Sequence, residues 1–324
     1  MHMTSSLPRL PEAASTPIGS EVWRGLTSFP KSLSPWLFYD EEGSRLFEAI
    51  TELPEYYPTR TERGIFARYA DEMIAACGMQ DLTLVELGAG TATKTGLLLE
   101  AAVRRQGSLV YHPIDVSESA LGEATRRIEA EIPGVSVCPR VADYTQGLGS
   151  LDASSGQLLI LYIGSSIGNF EPQEAVRLLR GVRRQIAPGD RLLLGVDMVK
   201  DRGTLCRAYD DAAGVTAAFN MNVLTRINCE LGASFRTKLF RHRARWNEQY
   251  SRMEMHLESL LAQTVAIPAL DLEIRFARGE SIHTENSYKF TDASVTALLE
   301  QGGFHVSRSW TDEAGWFGVY MATA

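Results

Sequence analysis

The stretch Leu82–Leu99, with the sequence LTLVELGAGTATKTGLLL, constrains the fold more than any other part of the chain. The β-type run Leu82–Leu87 predicts a strand that ends at Gly88-Ala89-Gly90, and helical character resumes over Thr91–Leu99. A strand, a glycine turn and a helix in this order form the first βα unit of a nucleotide-binding α/β fold. Glycines at the strand end allow the backbone to approach a ligand at a distance where a Cβ atom would collide.

Two residues of this stretch indicate which ligand it binds. The dinucleotide-binding pattern places a third glycine or alanine where this chain has Thr93, so that pattern is incomplete. Lys94 falls in the first turn of the predicted helix, where a cation opposes the helix dipole at a cost of about 0.3–1 kcal/mol. A bound carboxylate would explain this lysine. S-adenosylmethionine (SAM) has a carboxylate, whereas NAD presents a pyrophosphate there; the alternative is a solvated lysine that points away.

Composition and charge exclude several classes of function. The chain has 324 residues and a formal net charge of −8, which argues against nucleic acid as a partner because phosphate binding depends on Lys and Arg. We find no targeting segment and no apolar run long enough to cross a bilayer, so we expect a cytoplasmic protein with no membrane partner. The four cysteines have no paired spacing, which predicts reduced, mostly buried thiols and neither disulfides nor a metal site.

An acid follows the second predicted strand, Leu109–Ile114. This residue, Asp115, lies 25 residues after Gly90, near the distance at which an acid reaches a ribose hydroxyl in nucleotide-binding folds. As an alternative, Asp115 only caps the next helix, which is predicted over Ser117–Ile132.

Polar residues also follow the next two predicted strands. Asp143 and Tyr144 come after the strand Val135–Val141, where an acid can hold an adenine amino group and an aromatic ring can cover the base. The strand Leu158–Ile163 runs into the glycine- and serine-rich loop GSSIGNF. Such loops at the carboxyl ends of central parallel strands carry ligand sites in doubly wound sheets. Within the loop, Asn169 can donate and accept hydrogen bonds, which suits an amino-acid head group, or it only forms the turn.

The end of the chain distinguishes between nucleotide-binding folds. The predicted helix Thr291–Gln301 leads to two strands, Phe304–Trp310 and Trp316–Met321, joined by a short turn. An antiparallel hairpin at the edge of an otherwise parallel sheet is typical of Rossmann-like methyltransferases, whereas the last strand of nicotinamide dehydrogenases is parallel. We therefore predict an α/β fold with a Rossmann-like, class I SAM-dependent methyltransferase sheet and a C-terminal antiparallel hairpin.

A helix is also predicted ahead of the first strand, over Glu62–Cys77. Its apolar residues, among them Ile65 and Phe66, lie along one side and predict a buried face. Thr59 and Glu62 have the spacing of a capping box at the start of this helix.

The remaining chain predicts a second domain. A fifth strand is predicted over Arg191–Asp197, and roughly 90 residues separate it from the last helix, which is too many for a loop. Within them, Arg252–Ser259 and Val265–Phe276 alternate apolar and polar residues, as antiparallel strands with one buried face do. We expect a disordered N-terminus over residues 1–16, an α+β substrate-binding domain over 17–60 and 199–288, and a SAM-binding domain over 61–198 and 289–324.

Six blocks of sequence, taken in order, resemble one family of enzymes. The match extends from about Leu26 to the C-terminus, and the blocks are KSLSPWLFYD, LPEYYPTRTE, VELGAGTATKT, GSSIGNF, DMVKDRGTLCRAYDDAAGVTAAFN and TENSYKF. The chain resembles the L-histidine Nα-methyltransferases of ergothioneine biosynthesis. The resemblance implies an enzyme that adds three methyl groups from SAM to the α-amine of L-histidine and so forms hercynine. We expect a monomer that uses no metal.

The resemblance also implies which residues form the site. Cofactor contacts fall at Gly88, Lys94, Asp115, Asp143 and Tyr144. Tyr144 departs from the family pattern, in which phenylalanine is common at this position. Substrate contacts fall at Tyr56, Asn169, Tyr209, Met255, Glu285 and Ser287, and of these Met255, Glu285 and Ser287 face the imidazole. The implied catalytic groups are Tyr39, Asn169 and the backbone of Gly164.

Two other functions stay open at this point. The same chemistry on another amino acid, such as tryptophan or tyrosine, would use the same cofactor residues. A non-catalytic protein that binds SAM and an amino acid would differ only in its lack of turnover. An NAD-dependent oxidoreductase is disfavoured by Thr93, Lys94 and the terminal hairpin.

Overall fold

The structure is a computed structural model that describes residues 12–78, 81–147 and 156–324. Within these ranges the α-helices are α1 (Pro17–Thr27), α2 (Glu41–Thr51), α3 (Tyr57–Ala76), α4 (Gly96–Gln106), α5 (Glu118–Glu131), α6 (Pro172–Arg183), α7 (Arg202–Tyr209), α8 (Val215–Leu231) and α9 (Asp292–Gln301).

The strands of the same ranges occur in three sheets. They are β1 (Leu82–Leu87), β2 (Leu109–Asp115), β3 (Val135–Val137), β4 (Arg140–Val141), β5 (Gln157–Tyr162), β6 (Arg191–Asp197), β7 (Phe240–Asn247), β8 (Arg252–Ser259), β9 (Gln263–Ile267), β10 (Leu272–Phe276), β11 (Ser281–Tyr288), β12 (His305–Thr311) and β13 (Phe317–Thr323).

The largest sheet confirms the predicted fold class. Its strand order is β12-β13-β6-β5-β1-β2-β3, and β4 pairs with β2. The pairs from β6 to β3 are parallel, whereas β13 is antiparallel to both β6 and β12. The C-terminal hairpin therefore closes one edge of a mostly parallel sheet, as the end of the sequence predicts.

Both faces of this sheet are covered by helices, which explains why four of the six residues of β1 are leucine or valine. Leu82 and Leu84 pack in a core with residues of α3, α4 and α5, while Val85 and Leu87 pack with residues of α6 and α9. Ligand residues of such a strand are consequently found where it ends, in the loop after Leu87.

The described residues form two compact units. Unit 1 contains the described residues up to Glu55 together with Arg202–Asn247 and Met253–Glu285. Unit 2 contains Tyr56–Asp201, Glu248–Arg252 and Asn286–Ala324. Unit 2 holds the large sheet, and unit 1 holds the β9–β10 hairpin and most of the sheet β11-β8-β7.

Two predicted features near the start of unit 2 are wrong. α3 begins at Tyr57 with Pro58 in its first turn, so Thr59 and Glu62 lie inside the helix and form no capping box. α4 begins at Gly96 and not at Thr91, because Gly88, Gly90 and Ala92 all have positive φ angles, of 68°, 52° and 52°, which a right-handed helix does not accommodate. Lys94 thus lies just before α4 and not in its first turn.

Other predicted boundaries are also corrected. Residues 12–15 form a 3₁₀ helix and Thr16 caps α1 by accepting a hydrogen bond from Gly19 N, so the expected disorder does not extend to residue 16; residues 1–11 lie outside the described ranges. The strand predicted over Val135–Val141 is divided into β3 and β4. Pro139 lies between the two pieces and has no N–H for the ladder.

The cysteines are free thiols, but they are not mostly buried as predicted. Cys77 is buried, Cys206 is half-buried, and Cys138 and Cys229 are exposed. No group of His, Cys, Asp or Glu side chains in the described ranges is placed to hold a metal ion. Among the described helices, none combines the length and the apolar character that a membrane span requires.

Candidate functional site

The glycine turn after β1 brings the backbone close to an aromatic ring. Gly88 has a φ angle of 68°, which favours glycine, and its N–H donates to the carbonyl of Ile114 at 2.8 Å. A Cβ atom on Gly88 would lie 3.4 Å from the ring of Tyr144. The absence of a side chain at Gly88 therefore leaves room beside an aromatic ring, and the structure brings these two predicted cofactor residues together.

Asp115 connects the second strand to the same turn. Its Oδ2 accepts a hydrogen bond from Gly90 N at 2.8 Å, and its Oδ1 accepts one from Ser117 N at 2.9 Å. The cap of α5 is Ser117 itself, whose Oγ accepts from Ala120 N at 3.3 Å. Asp115 thus does more than cap a helix, because it fixes the glycine turn and places a carboxylate at the end of β2.

Asp143 holds the short 3₁₀ helix that carries the aromatic ring. Its Oδ1 accepts hydrogen bonds from the backbone N and the hydroxyl of Thr145, at 2.9 and 2.6 Å. The next residue, Tyr144, packs edge-on against Tyr162, with ring centroids 5.7 Å apart. The acid and the ring therefore occupy one short segment, which is held by the hydrogen bonds of Asp143 and by the contact between the Tyr144 and Tyr162 rings.

Lys94 forms an ion pair with Glu62, a residue that is completely buried. Glu62 also accepts the backbone N–H of Gly164, at 2.9 Å from Oε1 and 3.1 Å from Oε2. A Cβ atom on Gly164 would lie 3.2 Å from the Lys94 ammonium. The structure thus brings together a predicted cofactor residue and a predicted catalytic residue, and a carboxylate that the sequence analysis assigned to a capping box connects them.

A second buried carboxylate, Glu86, supports the glycine turn from behind. Its Oε2 accepts hydrogen bonds from the hydroxyls of Thr95, at 2.7 Å, and of Tyr111. Burial raises the pKa of Glu86 to about 7, although both hydrogen bonds act in the opposite direction by stabilising the ionised form. The carboxylate connects β1 to β2 and to the start of α4, the three elements around the turn.

The loop after β5 contains a strained residue. Ser165 has a φ angle of 60°, and its Oγ accepts a hydrogen bond from Asp197 N at 2.9 Å, which holds this conformation. Asn169 ends the short 3₁₀ helix Ser166–Asn169 and is half-buried. A Cβ atom on Gly168 would lie 2.9 Å from the carbonyl oxygen of Tyr288. The loop of Asn169 therefore packs directly against the segment that carries Ser287.

Ser287 belongs to a buried cluster of charges that the sequence did not indicate. The ammonium of Lys289 donates to Ser287 Oγ at 2.7 Å and lies 2.8 Å from Oδ2 of Asp197. Asp197 also accepts a hydrogen bond from the hydroxyl of Tyr57 at 2.7 Å and pairs with Lys200. Burial lowers the pKa of Lys200 to about 8, while Asp197 acts to raise it. An ammonium can only donate, so the Ser287 oxygen is the acceptor in its bond with Lys289.

In unit 1, hydrogen bonds through His242 and Thr284 connect two predicted substrate positions, Tyr209 and Met255, to one buried amide, Asn220. Its Nδ2 donates to Nδ1 of His242 at 2.9 Å, and Nε2 of the same ring donates to the carbonyl of Tyr209 at 2.8 Å. The hydroxyl of Thr284, which precedes Glu285, lies 2.7 Å from Asn220 Oδ1 and 3.0 Å from the carbonyl of Met255. Burial lowers the pKa of His242, so the neutral ring can bridge the two groups.

Tyr39 contacts α8 at Phe219, the residue directly before Asn220. Its ring centroid lies 5.9 Å from that of Phe219 and 5.8 Å from that of Phe47, both at steep interplanar angles. Phe219 in turn stacks on Phe38 at 4.5 Å. The aromatic residues of the segment before α2 are therefore largely packing residues, and they fix Tyr39 relative to α8.

The last two predicted substrate residues are half-buried. Tyr56 is the N-cap residue of α3 in unit 2, and its carbonyl accepts a hydrogen bond from Arg60 at 3.0 Å. Glu285 lies on β11 in unit 1, where its carbonyl accepts from His283 at 3.0 Å. Met255 differs from both, because only 2% of its surface is exposed.

The sequence analysis missed the polar residues that hold these groups in place. They are Glu62, Asp197, Lys289, Asn220 and His242. A signal was present for Glu62, which lies three and four residues before Ile65 and Phe66 and therefore on the buried face of α3. Each of the other four residues has at least one partner that is distant in the sequence, as in the pairs Lys289–Asp197 and Asn220–His242. No local pattern indicates these pairs.

These features define a class of protein. A mostly parallel sheet with a terminal hairpin, a glycine turn after the first strand and an acid after the second belong to a Rossmann-like, SAM-dependent methyltransferase. The model of the family described as "Histidine-specific methyltransferase, SAM-dependent" matches residues 18–324, and the chain belongs to this family. The resemblance of the six sequence blocks is thereby confirmed, as is SAM as the co-substrate.

Individual relatives agree with the family. The chain is 46% identical over 311 residues to the histidine N-alpha-methyltransferase of Mycolicibacterium smegmatis, which covers 96% of both chains. It is also 46% identical over 303 residues to the enzyme of the same name from Mycobacterium tuberculosis, which covers 93% of both chains. An L-tryptophan methyltransferase from Psilocybe serbica is 27% identical over 327 residues, covering 92% of this chain and 91% of the relative.

Proposed function

We propose that this protein transfers three methyl groups from SAM to the α-amine of L-histidine and so forms hercynine, the first step of ergothioneine biosynthesis. The observation that carries the proposal is the 46% identity to histidine N-alpha-methyltransferases over nearly the whole length of both chains. The cytoplasm is the proposed location and a monomer the proposed state, and light scattering on the 35.8 kDa chain would test the latter.

The residues at the strand ends of unit 2 fit the parts of SAM. The space beside Gly88 and the ring of Tyr144 suit the adenine, Asp115 suits the ribose hydroxyls, and Lys94 suits the carboxylate. When bound, SAM supplies an electrophilic methyl group on a sulfonium. The protein has to present a neutral amine to it, because an ammonium has no lone pair. The α-amine of a peptide has a pKa near 8 and that of a free amino acid is higher, so a proton must leave before each transfer.

The proposed roles of the substrate residues follow from their chemistry. Asn169 and Tyr209 would bind the substrate carboxylate, and Tyr39 with the carbonyl of Gly164 would orient the amine towards the methyl group. Such positioning can account for several kcal/mol of the activation barrier. Three successive transfers require the amine to rotate between them, so this part of the site has to remain roomy.

Glu285 and Ser287 carry the proposed specificity. A carboxylate accepts the N–H of an imidazole, and Ser287 would bind the second ring nitrogen. An indole has only one ring nitrogen and offers the Ser287 hydroxyl no acceptor, and a site whose polar groups lose their substrate partners rejects such an analogue.

A methylation assay on the purified protein tests the proposal. SAM is offered with histidine, tryptophan or tyrosine in separate reactions, and mass spectrometry counts the methyl groups gained. We expect three methyl groups on histidine and none on the other two. Methylation of tryptophan instead would assign the chain the activity named for its 27% identical relative, and histidine binding without methylation would indicate a non-catalytic protein.

A further inference from the structure

We propose that Glu62 is a positioning residue that couples the cofactor end of the site to the amine end. It would hold Lys94 for the cofactor carboxylate and the backbone of Gly164 for the substrate amine with one carboxylate. This inference rests on the proposed function, because it takes Lys94 and Gly164 in the roles given to them there.

Glu62 contacts two groups, the ammonium of Lys94 and the backbone N–H of Gly164. The carboxylate is completely buried in unit 2, and the charge of such a group requires partners. Its cationic partner is Lys94, whose side chain is 20% exposed. An ammonium has three donor hydrogens, so Lys94 can bind Glu62 and a ligand carboxylate at the same time. Glu62 therefore sets the position of Lys94 without blocking it.

The second contact concerns the two peptide groups around Gly164. The N–H of Gly164 donates to Glu62, at 2.9 Å from Oε1, and the N–H of Ser165 donates to the carbonyl of Gly195 at 3.1 Å. Gly164 has a φ angle of 77°, which other residues rarely adopt. With both neighbouring peptide groups held, the direction of the Gly164 carbonyl is fixed.

Gly195 independently supports the observed position of the Glu62 carboxylate. This glycine lies inside the central strand β6, where glycine weakens a strand and usually marks a close approach of another group. A Cβ atom at Gly195 would overlap Oε1 of Glu62. The space that a side chain at position 195 would need is thus occupied by the Glu62 carboxylate.

The experiment compares Glu62→Gln, Lys94→Met and the double variant. Gln keeps an acceptor for Gly164 N and loses the charge that holds Lys94, so we expect SAM to bind about tenfold more weakly, as for loss of a hydrogen bond to a charged group. We expect the same loss for Lys94→Met, and no further loss in the double variant, because both changes break one interaction. Calorimetry measures SAM affinity, and circular dichroism checks that each variant is folded.

Glu72→Gln is the matched control, since it makes the same change on the same helix at an acid that pairs with Arg308 away from this site. Its SAM affinity should equal that of the wild type. Unchanged or tighter SAM binding by Glu62→Gln, while Lys94→Met binds weakly, would overturn the proposal. Unchanged binding by Lys94→Met would instead overturn the role of Lys94 in the proposed function.

The coupling to the amine end has its own readout. Glu62→Leu removes the acceptor for Gly164 N, so we expect mono- and dimethylated histidine to accumulate several-fold over the wild type, while Glu62→Gln restores nearly complete trimethylation. A general loss of stability would lower all rates without changing this ratio. If Glu62→Leu does not fold, a Glu62→Gln variant with raised KM for SAM and unchanged KM for histidine still supports the proposal, and an equal rise in both would contradict it.

Discussion

The glycine turn of unit 2 and the Asn220 network of unit 1 hold their predicted ligand residues by different means. At the turn, main-chain groups do most of the work: Gly88 N binds a carbonyl of β2, and Gly90 N binds Asp115. In unit 1, one side chain on α8 connects α7, β7, β8 and β11 through hydrogen bonds to His242 and Thr284. The turn should therefore depend on main-chain groups together with the Asp115 and Glu86 carboxylates, whereas the network should depend on a single residue.

The largest expected effect is that of Asn220→Ala. The change leaves buried groups of His242 and Thr284 without the partner they have in the wild type, and it should lower the free energy of unfolding by about 3 kcal/mol. Urea denaturation measures this. Thr225→Ala, at an exposed position of the same helix, is the control and should change stability by less than about 0.5 kcal/mol. A loss below about 1 kcal/mol for Asn220→Ala would remove the contrast between the two regions.

Glu285→Ala should have the next largest effect. It should change the use of histidine as a substrate and not the stability of the protein. Loss of a hydrogen bond to a charged group should lower kcat/KM for histidine by about 10- to 100-fold. Glu285→Gln keeps an acceptor and should recover part of the activity. The kinetics of SAM consumption measure both variants, and a histidine affinity that calorimetry finds unchanged in Glu285→Ala would refute the assignment.

Glu86→Gln tests the support of the glycine turn through its pH dependence. Because the folded-state pKa of Glu86 is raised to about 7, the folded protein binds this proton more tightly than the unfolded chain does. Wild-type stability should therefore fall relative to Glu86→Gln as pH rises from 5 to 8, by about 2 kcal/mol. Thermal unfolding of both proteins across this range measures the difference. A constant difference would mean that the carboxyl group is ionised throughout.

The smallest expected effect is that of Tyr144→Phe. The ring beside Gly88 is retained, and stacking on a base does not need the hydroxyl, so the affinity for SAM should change by less than about threefold. Tyr144→Ala removes the ring and serves as the contrast, with a clearly larger loss. Calorimetry with SAM measures both variants. Equal losses for the two variants would show that the hydroxyl, and not the ring, binds the cofactor.

Sequence reasoning predicts unit 2 well because its signals are local. Strand β1, the glycine turn and Asp115 are each specified by short runs of consecutive residues, and the C-terminal hairpin lies within the continuous stretch 305–323. Parallel strands also bring their ends to one edge of the sheet. The start of α4 is predicted wrongly because the left-handed conformation of Ala92 has no sequence signal. The pairing of Glu62 with Lys94 could have been suspected from the buried face of α3, but the capping-box spacing obscured it.

Unit 1 is less predictable because its order depends on pairings that are distant in the sequence. Strand β8 has a clear apolar face, with Met253, Met255 and Leu257 all buried. Strands β7 and β11, with the sequences FRHRARWN and SIHTENSY, carry few apolar residues and give a weak signal. The role of Asn220 has no local sequence signal, because its partners His242 and Thr284 lie far from it in the sequence. The roles of Tyr56, Tyr209, Glu285 and the other site residues stay predictions that the variants above test.

The distribution of the thiols makes this protein convenient for fluorescence spectroscopy. Cys229 is exposed in unit 1 and Cys138 is exposed in unit 2, while burial raises the pKa of Cys77 to about 11 and keeps it unreactive. A single Cys206→Ser substitution would leave one native attachment point for a dye in each unit. Energy transfer between the two dyes would then report, in real time, how the distance between the units responds when SAM and histidine are added.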